Sequence, residues 1–95
     1  MDRDALDRRL AEAFGGEPAE RRVIVRQALD LADSGRWAET HDGATLTVDG
    51  VVAELEQAPE GEGLADRWNW WIGSLEIAHG GYERFAVRRW RAERG

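Results

Sequence analysis

Three tryptophans stand within four positions of the stretch Arg67–His79, RWNWWIGSLEIAH, and no other segment restricts the fold as strongly. On a helix turning about 100° per residue, Leu64, Trp68, Trp71, Ile72, Leu75 and Ala78 fall on one side. Trp70 and Ile77 fall on the opposite side, with Gly73 and Ser74 near them. A surface helix needs one apolar stripe, so the second must be covered by something. In one arrangement this is the central helix, wrapped on both sides by its own chain. In the other, Trp70, Gly73, Ser74 and Ile77 form a contact patch, with the small residues letting another backbone approach and Trp70 as the anchor. Two-fold self-association is the commonest form of such a contact.

Ninety-five residues suit one domain, 1–95, which buries somewhat more than about 60% of its unfolded surface. The five tryptophans ease that limit. Each buries roughly 150–250 Å², a gross transfer energy of about 4–6 kcal/mol and an upper bound. There is no cysteine, which excludes a disulfide framework, a thiolate metal site and a cysteine nucleophile. No apolar run approaches the roughly 20 residues that span a bilayer, and MDRDALDRRL is charged where a signal peptide would be apolar. The expectation is a cytoplasmic protein with no membrane contact.

All thirteen basic side chains are arginine, and against nineteen carboxylates they give a net charge of −6. Acid excess, abundant alanine and missing lysine suggest a halophilic or high-GC source, where concentrated salt screens self-repulsion. The charge is uneven, −9 over residues 1–66 and +3 over 67–95. The basic end either packs near the acidic rest or meets nucleic acid.

In chain order, Asp2 to Phe14 fits a helix with Leu6, Leu10, Ala13 and Phe14 on one face. Asp2 or Asp4 serves as cap, Asp4–Arg8 and Arg8–Glu12 as i,i+4 pairs, and Gly15 as the stop. A second helix runs from Pro18 to about Asp33, with Ile24, Ala28, Leu31 and Ala32 facing the core, Val25 and Leu29 widening that face, and Ser34-Gly35 ending it. From Gly35 to Gly50 the pattern is ambiguous, with Trp37 tucked onto the other helices and Thr40–Gly43 loop-like.

ATLTVDGVVAELEQ fits two templates. A helix from about Thr47 aligns Val48, Val51, Val52 and Leu55; a hairpin turning at Asp49-Gly50 aligns Ala44, Leu46, Val48, Val51, Ala53 and Leu55. The helix fits better, because the second arm lacks strand formers after Val52 and Pro59 ends it cleanly. Residues 58–63 form an interhelical loop. The Trp-rich helix follows and ends at Gly80-Gly81. Over 82–92 a helix again fits better than a strand, with Tyr82, Phe85, Ala86 and Trp90 on one face and Arg84, Arg88 and Arg91 on the other.

Signals for chemistry are sparse. There is no G-x-S-x-G, P-loop or G-x-G-x-x-G pattern, and two histidines without cysteine make a thin acid/base repertoire. Glu76 and His79 have the i,i+3 spacing of one half of a di-iron site, which needs a second such pair and further Glu; Glu39, His41 and Asp42 offer only a loop cluster of added ligands, so helix capping and surface pairing explain the pair more simply. No cofactor is expected. Arg84, Arg88 and Arg91, with Trp90 beside them, offer cations and a stacking surface to nucleic acid, against the net charge of the chain.

These observations lead to a mainly α single-domain bundle of four to five helices around residues 64–79. The α+β alternative has a short hairpin near 44–56 and a C-terminal strand. The expected function is a non-catalytic protein–protein interaction module, a homodimer through Trp70, Gly73, Ser74 and Ile77. A nucleic-acid regulator acting through the C-terminal arginines is the alternative, and metal-dependent activity at Glu76 and His79 stands behind both.

Overall fold

The computed structural model describes residues 1–87. The chain is mainly helical, with α1 (Arg3–Phe14), α2 (Pro18–Ser34), α3 (Arg36–Thr40), α4 (Val48–Leu55) and α5 (Leu64–His79), followed by one 3-10 turn at Glu83–Phe85. No strand occurs among the described residues, so the hairpin near 44–56 does not form. No helix among them is long and apolar enough to cross a membrane.

Local chemistry explains where these helices start and stop. Asp2 caps α1, its carboxylate accepting the N–H groups of Asp4 and Ala5 at 2.8 and 3.1 Å. Thr47 caps α4 through the Gly50 N–H at 3.0 Å, which settles this stretch as helix. Pro18 begins α2, and Gly35 ends it in the left-handed region at φ 81°, turning the chain directly into α3. The helix α5 has no cap within its own segment. Glu20 of α2 supplies one, accepting the Ala65 N–H at 2.8 Å and placing a carboxylate at the positive end of the helix dipole.

One core cluster joins the elements. Leu6 and Leu10 of α1, Ile24, Val25, Ala28 and Leu31 of α2, and Val51, Val52 and Leu55 of α4 are buried. So are Leu64, Ala65, Trp68, Trp71, Ile72 and Leu75 of α5, together with Leu46, Tyr82, Phe85 and Val87. Their spacing is the helical one expected from sequence. The broad face of α2 lets it pack against α1, α3, α5 and the 3-10 turn, while α5 packs against α2, α4 and that turn.

Some expectations fail for identifiable reasons. Ala13 and Ala78 are exposed, as are Ile77 and His79 in the last turn of α5, because the core reaches only as far along that helix as Leu75. Among the described residues Arg8 forms neither expected ion pair. Arg9 instead reaches Glu12 and Asp49, and Arg21 reaches Asp7 at 3.0 Å. The helix expected over 82–92 is not formed in its described part, because Ala86 is extended (φ −70°, ψ 150°) after the 3-10 turn. Side chains of α5 take up the backbone groups that such a helix would have paired internally. The remainder of that segment lies outside the described residues.

Candidate interaction surface

The four residues Trp68, Asn69, Trp70 and Trp71 point in three directions, and each direction has a different consequence. Trp68 is fully buried and its indole N–H donates to the Phe85 carbonyl at 2.8 Å. Trp71 meets it edge-on at 5.4 Å between ring centroids and contacts Trp37 of α3 at 5.7 Å. Asn69 works beside them as a two-point clamp. Its amide donates to the Val87 carbonyl at 2.7 Å, and its side-chain oxygen accepts the Val87 N–H at 2.8 Å. A backbone strand would make the same pair of bonds, so Asn69 holds the extended segment after Phe85 against α5.

Trp70 points outward. It is 39% exposed, and Ile77, two turns further along the same face, is 89% exposed. Gly73 and Ser74 lie exposed between them, and the Ser74 hydroxyl is turned back to the Trp70 carbonyl at 3.0 Å. All four contact residues expected from sequence therefore share one solvent-facing stripe. None of the four is charged, in a chain in which 34% of residues are.

Gly73 is the informative member. Glycine within a helix costs about 1 kcal/mol relative to alanine, yet among the described residues a Cβ there would meet nothing within 4 Å beyond its own helical turn. Packing among the described residues gives no reason for the missing side chain.

The other candidate residues are arranged differently. Glu76 accepts the N–H groups of Tyr82 and Glu83 through one carboxylate oxygen at 2.7 and 2.9 Å, so it braces the chain reversal after α5. No group of three or more His, Cys, Asp or Glu gathers to hold a metal among the described residues. Arg84 is exposed, its guanidinium lying over the Phe85 ring at 4.7 Å. Arg88, Trp90 and Arg91 lie outside the described residues. A groove of about 670 Å³ between α1 and α2 carries arginines and aspartates alike, Arg22, Arg26, Asp4 and Asp30 among them, and so has no single charge preference.

Asn69 and Glu20 carry structural roles that residue type alone did not reveal. A polar residue between two core tryptophans was the available signal for the first. The second had none, since its partner lies 45 residues away.

The fold and this face define a small, mainly helical domain with a Trp-rich helix that is buried on one side and bare on the other. The chain belongs to the WNWW domain family, whose model matches residues 1–76. The matched span includes Trp68, Asn69, Trp70 and Trp71. No curated protein and no solved structure matches the chain.

Proposed function

We propose that this chain is a non-catalytic interaction module, a small helical bundle that forms a homodimer through the outer face of α5. The observation that carries the reading is Gly73, a glycine in mid-helix with open space among the described residues where its side chain would be, between exposed Trp70 and exposed Ile77. Such a residue becomes useful when another backbone approaches closely.

The order of sizes along the stripe favours a second copy as the partner. Trp70, Gly73, Ser74 and Ile77 run large, small, small, large, and are symmetric about the point between Gly73 and Ser74. Two α5 helices crossing antiparallel on a two-fold axis at that point set Trp70 of each copy beside Ile77 of the other. Gly73 then meets Ser74, which brings the helix axes to or below the short end of the usual 8–10 Å spacing. An uncharged contact also suits two molecules that each carry −6, because like charges stay at the rim.

Sedimentation equilibrium of the wild type and Ile77→Asp tests the reading. Ile77 is almost fully exposed, so the substitution leaves the monomer intact. The expected result is a dimer for the wild type and a monomer of unchanged helix content for the variant. A wild type that stays monomeric up to about a hundred micromolar, or a variant that dimerises equally well, rejects the proposal.

A further inference from the structure

His41, just after α3, and His79, the last residue of α5, are 38 positions apart in sequence, yet their rings lie 5.3 Å apart between centroids at an interplanar angle of 60°. We infer that these two imidazoles form a binding site for a borderline divalent cation such as Zn²⁺, separate from the outer face of α5.

The ring separation fits one shared ion. A Zn–N bond of about 2.0–2.1 Å puts each ring centre ~3.2 Å from the metal, and a tetrahedral angle then separates the two centres by ~5.2 Å. The surroundings of His41 fit as well. Its Nδ1 lies 3.0 Å from the Trp37 carbonyl, which can only accept, a geometry that suits the tautomer with the proton on Nδ1 and the lone pair on Nε2. A ligating histidine characteristically donates its other N–H to a carbonyl in this way.

The ring is also held in place. It stacks on Trp37 at 3.5 Å and 15°, and its Nδ1 lies 2.8 Å from the Thr40 hydroxyl, which in turn sits 2.5 Å from the Tyr82 hydroxyl. His79 is exposed at the helix end and open to solvent. No third His, Cys, Asp or Glu completes a ligand set among the described residues, so water fills the remaining positions. With two protein ligands in place of three or four, the ion is held less tightly than in a complete structural site. An ion there would bind α3 to the carboxyl end of α5.

Calorimetric titration of tag-free protein with ZnCl₂ at pH 7.5 tests this, together with ring-nitrogen NMR spectra of the two imidazoles. The expected result is one Zn²⁺ per chain, shifts at both Nε2 atoms, and at least tenfold weaker binding in His79→Ala and in His41→Gln. Because His79 is exposed, its variant retains the fold and decides the question even if His41→Gln unfolds. Unchanged affinity in His79→Ala, shifts at a single imidazole, or no binding at millimolar Zn²⁺ overturns the inference.

Discussion

The indole nitrogen of Trp68 donates to the carbonyl of Phe85 at 2.8 Å inside the core, and the adjacent Asn69 closes two further bonds on Val87. Consecutive residues of α5 thereby fasten the extended segment that follows the 3-10 turn. Buried backbone groups need partners, and here side chains provide them.

The clamp leads to a first prediction. Asn69→Ala leaves the Val87 N–H and C=O without their partners and destabilises the fold by about 1–3 kcal/mol. Asn69→Asp keeps the acceptor for the Val87 N–H but turns a carboxylate oxygen toward the Val87 carbonyl, two acceptors facing each other, so it is expected to cost at least as much. Urea unfolding gives the ranking, and hydrogen exchange at the Val87 amide is expected to accelerate in Asn69→Ala well before global unfolding.

Glu20 tests the cap reached across the fold. Glu20→Ala removes the acceptor for the Ala65 N–H and is expected to cost about 1 kcal/mol, in the range of ordinary N-caps. Glu20→Gln keeps a side-chain oxygen and should recover most of the loss. Thermal unfolding of the three proteins at equal concentration decides it.

Gly81 and Gly43 separate backbone strain from collision. Both have positive φ, 79° and 82°, but a Cβ at Gly43 meets open space, whereas one at Gly81 would lie 2.9 Å from Cζ of Arg36. Gly43→Ala is expected to cost about 1 kcal/mol or somewhat more for conformation alone. Gly81→Ala should cost measurably more, and equal unfolding midpoints would show that Arg36 moves aside freely.

Much of this architecture was legible beforehand, because helix periodicity and end signals are local. Asp2, Gly15, Pro18, Gly35 and Pro59 mark boundaries through their own backbone and capping preferences. The inward and outward sides of α5 follow from its turn angle, so Trp70, Gly73, Ser74 and Ile77 could be placed on one face without coordinates. The segment after Gly81 could not be placed the same way. Tyr82, Phe85 and Ala86 have helical spacing, but Trp68 and Asn69 compete for the backbone of residues 85 and 87, and that competition is invisible in local pattern. The approach of His41 to His79 is equally non-local, since the two rings meet across 38 positions of sequence.

The dimer reading rests on Gly73, and Gly73→Ala tests it most directly because its effects on fold and association have opposite signs. For an isolated chain the alanine is favourable, raising monomer stability by up to about 1 kcal/mol, since helix propensity improves and the methyl meets no neighbouring element among the described residues. For two α5 helices in close contact the added methyl holds the backbones apart. Sedimentation equilibrium should therefore show a dimer dissociation constant at least tenfold higher for Gly73→Ala than for the wild type, a loss of about 1.4 kcal/mol or more. An unchanged or tighter dimer in the variant would contradict the account.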